Sequence, residues 1–168
     1  KLFNSRLLER KKEDAAFEFA DITHFALGLL YDENAEDKKT VLARSLSLNF
    51  SEILIDEYQD TSRAQDTLFT CLSKNGENMF MVGDVKQSIY RFRLASPEIF
   101  IEKSESFPYY DGKAKKSKII LSKNFRSRKG IVEGVNFLFD SLLSKECGEI
   151  EYNDDEKLNF ASSFPESD

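Results

Sequence analysis

Tryptophan is absent from this 168-residue chain, histidine occurs once, cysteine twice and proline three times. A lone histidine, His24, argues against a histidine-based metal site or catalytic triad. The two cysteines, Cys71 and Cys147, lack zinc-ligand spacing and read as free thiols rather than a disulfide. No apolar run approaches the roughly 18 residues that span a bilayer. The N-terminus also lacks the basic, apolar and small-residue succession of a secretory signal. The expectation is a cytoplasmic protein with no membrane contact. What the chain does contain is 40% hydrophobic and 12% aromatic residues, enough to bury a substantial core, normally as one domain.

The net charge of −6 argues superficially against a nucleic-acid partner, but the charge is uneven. Residues 146–168 hold eight acids and one lysine, whereas residues 113–129 (KAKKSKIILSKNFRSRK) hold eight basic residues and no acid. Such a run is either a solvated loop and strand edge or the electrostatic footprint of a phosphate-binding surface. Composition leaves both open.

Hydrophobic spacing predicts an α/β alternation. Residues 2–30 read as helical, with Asp21 or Thr23 able to start a second helix, and the polar stretch YDENAEDKK follows as a loop. A short helix over 41–48 precedes a strand over 52–55. Residues 62–72 read as a helix, SKNGEN as a turn, and 79–82 as a second buried strand ending at Gly83-Asp84. A third strand over 119–121 ends at Asn124, and 130–143 forms another helix. Three apolar strands separated by helical segments imply parallel pairing through right-handed crossovers. Glu149 to Tyr152 is expected as a short strand leading out of the domain, with Phe160 and Phe164 as anchors for a further element.

The run Ile53-Leu54-Ile55 is too short for a helix and reads as a strand covered on both faces. Behind it come Asp56, Glu57, Gln59 and Asp60. In open parallel α/β sheets ligands bind beyond the carboxyl ends of strands, where adjacent acids suit a hydrated divalent cation and a polarised water. Equally, Asp56 or Asp60 caps the helix beginning near Thr61. The other two strands deliver GDVKQSIYRFR and NFRSR. Two acids, a glutamine and an arginine at one sheet edge are the parts needed to handle a nucleoside triphosphate and its metal.

DEYQDT (Asp56 to Thr61), VGDVKQSIYRFR (Val82 to Arg93) and LSKNFRS (Leu121 to Ser127) resemble motifs II, III and IV of the UvrD/Rep superfamily of ATP-dependent DNA helicases. With the flanking FADITHFALGLL and GIVEGVNFLF, they are most similar to the AddA branch, the helicase subunits of bacterial AddAB helicase-nucleases. The resemblance implies a partial RecA-like (P-loop NTPase) motor domain with a short parallel sheet flanked by helices. Residues 1–145 then form part of the first motor domain, and 146–168 an acidic tail leading toward a second.

The resemblance also implies roles. Asp56 is the Walker B acid that holds magnesium through its water shell, and Glu57 orients and deprotonates the attacking water. Gln87 lies near the γ-phosphate and couples it to the DNA surface, and Arg126 senses phosphate. On the residues alone, Gln87 could instead cap a helix and Arg126 pair with Asp84. Tyr90, Phe92, Arg93 and Asn124 belong to the DNA side, with Phe92 against a base; the alternative for Tyr90 and Phe92 is core packing. Where the family usually has Gly-Ala after the third motif's arginine, this chain has Leu94-Ala95.

No GxxxxGK[ST] occurs, nor the family's later motifs, nor a nuclease motif. Beginning at Lys1 without methionine, the chain is expected to be a fragment of a helicase acting in double-strand-break processing and recombination, inactive alone. ATP and Mg2+ are cofactors of the intact parent and are not expected to bind the isolated chain tightly. Expected partners are single- and double-stranded DNA, the remaining helicase domains and an AddB-like nuclease subunit. The alternatives are a noncatalytic interaction module of helicase descent and a metal-dependent nuclease domain.

Overall fold

The computed structural model describes residues 2–148 and 150–164. The chain divides into two compact units, residues 1–103 and 104–168.

The first unit opens with α1 (Leu2–Glu13) and α2 (Phe19–Leu30). Lys11 joins them, its ammonium donating to Glu18 at 3.0 Å and to Asp21 at 2.7 Å, while the Asp21 carboxylate also accepts from the Glu18 amide at the start of α2. The helix break falls at Asp14 to Glu18, where Ala15 takes a positive φ of 50°. The loop after α2 is closed by an antiparallel bridge between Tyr31 and Lys39. Thr40 then caps α3 (Val41–Ser47) by accepting from the Ala43 amide.

Leu30, Ala43 and Cys71 form the core, with Leu46, Leu68 and Leu72 packed against them. Ala43 is small enough to let α2, α3 and α4 (Arg63–Leu72) meet. Lys39 is buried beside this core and donates to the Ser73 carbonyl at 2.6 Å. A cation there meets the negative end of α4, which is why a lysine is tolerated inside. Both Cys71 and Cys147 are free thiols, as expected; burial pushes the Cys71 thiol upward.

The sheet of this unit consists of β1 (Ile53–Ile55) and β2 (Met79–Met81), parallel, with Leu54 opposite Phe80. The expectation that these strands are covered on both faces is corrected. Side chains alternate along a strand, and here Ile53, Ile55, Met79 and Met81 are half-buried while Leu54 is 71% and Phe80 58% exposed. After β2 the chain makes two 3-10 turns, Val85–Gln87 and Arg91–Arg93. It then forms α5 (Pro97–Ser106), where Pro97 stands at the first helical position, as its fixed φ favours.

In the second unit the expected strand over 119–121 is displaced. Ile119 and Leu121 are exposed, and the ladder forms instead at β3 (Lys123–Asn124), parallel to β4 (Asn159–Phe160). Among the described residues two two-stranded sheets therefore replace the expected three-stranded one. The physical reason is hydrogen-bond supply: the Asn159 amide donates to Ser122 and the Ala161 amide to Asn124, leaving the apolar run without a ladder of its own. α6 (Lys129–Leu142) and a single turn, α7 (Lys145–Gly148), precede the last segment.

The strand expected at Glu149 to Tyr152 is not found over 150–152; Glu149 lies outside the described residues. Tyr152 instead buries its ring beside Phe139 and donates its hydroxyl to Asn136. The Asn136 amide accepts from the Leu158 N–H at 3.0 Å and donates to the Leu158 carbonyl at 2.9 Å. Phe160 joins β4, and Phe164 lies under the Arg128 guanidinium at 5.8 Å.

Candidate functional site

β1 ends at Ile55, and the next two residues present exposed carboxylates. Asp56 accepts from the Glu57 amide at 3.0 Å. Glu57 takes the left-handed conformation, φ 51° and ψ 43°, and leads into a 3-10 turn over Tyr58–Asp60. A non-glycine residue there costs about 1–2 kcal/mol, which the surroundings must hold. They do so through Tyr58, fully buried, whose amide donates to the Val82 carbonyl at 2.8 Å. Its ring packs on Phe100, and its hydroxyl donates to Asp66 on α4. Burial, and then the Asp66 carboxylate, push the Tyr58 phenol far above its ordinary range, so it stays a donor.

The helix-cap reading of Asp56 and Asp60 is not realised. Ser62 caps α4, accepting from the Gln65 amide while Gln65 returns the bond to Ser62. Asp60 instead keeps one buried carboxylate oxygen without a hydrogen-bond partner, as does the hydroxyl of Ser88.

Gln59 links the ends of the two strands. Its amide donates to Glu57 at 2.7 Å and accepts from the Asp84 N–H at 2.9 Å. The Asp84 carboxylate caps the turn Val85–Gln87, accepting from the Lys86 amide at 3.0 Å, the Lys86 ammonium at 2.9 Å and the Gln87 side chain at 3.0 Å. Burial alone would raise Asp84, but the bonds from Gln87 and Lys86 outweigh it and hold its carboxyl below the usual range. Gln87 is thus exposed at the tip of a braced turn, its cap role taken by Asp84.

The next turn carries the aromatic residues. Phe92 is 76% and Tyr90 39% exposed, which sets aside core packing for Phe92. Their ring centroids lie 5.9 Å apart, and the Arg93 guanidinium sits 5.4 Å from the Tyr90 ring and 5.6 Å from the Phe92 ring. Two rings and a cation thus form one exposed cluster. Leu94 closes the turn with φ 66° and ψ 21°.

In the second unit the Asn124 carboxamide oxygen accepts from the amides of Arg126 at 3.0 Å and Ser127 at 2.8 Å. This local turn fixes the backbone of Arg126 and leaves its residue exposed.

Among the described residues no group of three or more His, Cys, Asp or Glu is arranged to hold a metal. Magnesium, which keeps several waters and takes further ligands from substrate phosphates, needs only one or two carboxylates. The exposed Asp56 fits that donor set.

Residues 1–108 match the UvrD/REP helicase N-terminal domain. The chain belongs to the UvrD/REP helicase family. It is 42% identical, over 98% of its length, to an ATP-dependent helicase/nuclease subunit of Clostridium beijerinckii. To the proteins of the same name in Bacillus pumilus and Clostridium botulinum it is 43% and 44% identical, over 98% and 97% of its length. The chain spans only 14%, 14% and 13% of these three relatives. The UvrD/REP match includes Asp56, Glu57, Gln87, Tyr90, Phe92 and Arg93, whereas Asn124 and Arg126 lie beyond it.

Two constraints in this UvrD/REP chain become visible only in the structure: the backbone at Leu94, a residue already noted in the sequence, and the space at Gly83. Leu94 occupies a left-handed position, a conformation that glycine adopts freely and other residues only with strain. Gly83 has no room for a side chain: a Cβ there would stand 2.6 Å from the Gln59 carboxamide oxygen and 3.1 Å from Phe100. The signal available in the sequence was a glycine between a strand and a turn.

Proposed function

We propose that this chain supplies part of the nucleotide-hydrolysing and DNA-contacting machinery of an ATP-dependent DNA helicase of the AddA type, acting in double-strand-break processing and recombination. The observation that carries this reading is the exposed Asp56-Glu57 pair at the end of β1, hydrogen-bonded through Gln59 to the turn that presents Gln87. In this reading residues 1–145 are part of the first RecA-like motor domain. Residues 146–168 lead toward the second.

Asp56 holds a hydrated magnesium ion, which when bound offsets the negative charge of the triphosphate. Glu57 accepts a proton from the attacking water, a role open to an exposed carboxylate at the mouth of the site. Gln87 reports the γ-phosphate to the turn beyond it, and Arg126 offers a permanently charged fork to the charge developing in transfer. Tyr90, Phe92 and Arg93 stack and clamp unpaired nucleotides, with Asn124 shaping the second contact. The partners are single- and double-stranded DNA, the remaining helicase domains and an AddB-like nuclease subunit. Without a phosphate-cradling GxxxxGK[ST] loop, residues 1–168 alone do not turn over ATP.

Glu57→Gln in the full-length protein keeps shape and hydrogen bonding but removes the base. DNA-stimulated ATP turnover is expected to fall by roughly 100-fold or more, with nucleotide and DNA binding retained. An unchanged rate would remove Glu57 from the mechanism, and robust hydrolysis by 1–168 alone would contradict the assignment of the fragment.

A further inference from the structure

Gln59 is 1% exposed, and both ends of its carboxamide are committed. The Asp84 backbone N–H can only donate, so the end facing it is the oxygen, at 2.9 Å. The nitrogen therefore faces Glu57 and donates at 2.7 Å. A side-chain amide is uncharged, donates at one end and accepts at the other; a carboxylate cannot donate and a hydrocarbon does neither. The Asp84 carboxylate continues the chain to the Gln87 amide at 3.0 Å. One buried side chain thus stands between the carboxylate read as the base and the turn read as the phosphate sensor.

The room for this arrangement comes from Gly83. Its φ lies outside the left-handed region, so space and not conformation demands glycine: a Cβ would lie 2.6 Å from the Gln59 oxygen and 3.2 Å from the Gln59 amide nitrogen. The left-handed backbone of Glu57 starts the 3-10 turn that aims Gln59 inward, and the Asp60 amide bonds back to the Glu57 carbonyl at 2.9 Å.

We propose that Gln59 is a positioning residue, seated by Gly83, that holds the Glu57 carboxylate and the Asp84–Gln87 turn in one register during hydrolysis. The proposal rests on the roles assigned above to Glu57 and Gln87. Gln59 touches no reacting atom and acts by fixing the direction of the Glu57 carboxylate. Losing a charge-assisted bond of this kind misorients the base rather than weakening ligand binding.

The test uses the full-length protein with Gln59→Glu, Gln59→Met, Gly83→Ala and, as reference, Glu57→Gln. Gln59→Glu keeps the shape and the acceptor for Asp84 but, when ionised, sets a carboxylate against Glu57 in place of the donor. Assayed toward alkaline pH, where it is ionised rather than an O–H donor, it reads the idea even where Gln59→Met fails to fold. All three Gln59 and Gly83 variants are expected to lose about 10- to 100-fold in kcat, the effect of a hydrogen bond to a charged group. The KM for ATP and the affinity for single-stranded oligonucleotide, per folded molecule, stay at the parent values. Full kcat in Gln59→Glu and Gly83→Ala beside an inactive Glu57→Gln overturns the positioning role and leaves the hydrolytic reading standing. Loss of kcat, KM and DNA affinity together, tracking a lowered melting temperature, overturns it in favour of a merely structural glutamine. A Glu57→Gln variant with normal turnover overturns the hydrolytic reading itself.

Discussion

Replacing Phe92 by alanine in the full-length protein separates stacking from packing, because the structure assigns very different magnitudes to the two. A buried phenylalanine costs about 3–5 kcal/mol when truncated. Here only about a quarter of the residue is covered, so the lost burial amounts to well under the roughly 1.5–3 kcal/mol of a fully buried ring. Contacts with Tyr90 and Arg93 add about 1 kcal/mol at an exposed site. Stability should thus fall by no more than about 1–2 kcal/mol. A ring against a base is worth about 1–3 kcal/mol, so affinity for a short single-stranded oligonucleotide should weaken by roughly 5- to 150-fold. Fluorescence anisotropy with labelled oligonucleotide and a thermal melt on the same preparation give both numbers. A melting loss of the buried-ring size with normal affinity per folded molecule would refute the stacking role and leave DNA contact to Tyr90, Arg93 and the basic run ending at Lys129.

Leu94→Gly should stabilise the chain, since relief of the left-handed conformation is worth about 1–2 kcal/mol against about 0.5–1 kcal/mol of added unfolded-state freedom, while Leu94→Ala should not. Equal melting temperatures for the two variants would contradict the strain at this turn. Asp37, hydrogen-bonded by Arg44 and further by the Lys39 amide against an opposing effect of burial, has its carboxyl held at about 2 instead of 3.8. A depressed folded-state value means its stabilisation is complete above about pH 4 and fades as pH falls toward 2. Between those limits Asp37→Asn should flatten the acid limb of thermal stability, and superimposable acid limbs would count against the ion pair.

Helix periodicity was legible over 41–48, 62–72 and 130–143, because each of these segments carries its own cap or apolar stripe. β1 and β2 were legible from their apolar cores and turn residues. Their burial was not, since Leu54 and Phe80 read as interior residues by type alone while alternation turns them outward. The strand over 119–121 failed for a related reason: hydrophobicity names a strand candidate, but the ladder forms at Lys123, whose partner Asn159 lies 36 residues on. At the site, DEYQDT and GDVKQ announced the carboxylates and the glutamine. That Gln59 spans them could not be read, because its value depends on a buried amide meeting a backbone N–H across two strands.

The hold of the last segment on α6 bears on how this protein responds to ionic strength. Residues 146–168 carry eight acids, yet their ion pair with α6 uses their one basic residue, Lys157, against Asp140 at 3.0 Å. Neutral contacts hold the segment as well, the Asn136 amide on Leu158 and Tyr152 and the Tyr152 ring beside Phe139, and salt does not screen them. Salt screens exposed charge pairs such as Lys157–Asp140, with a Debye length near 8 Å at about 0.15 M salt. Added salt therefore weakens the Lys157–Asp140 pair and leaves the Asn136 bonds in place, so the hold of this segment on α6 should outlast the loss of its charge contacts.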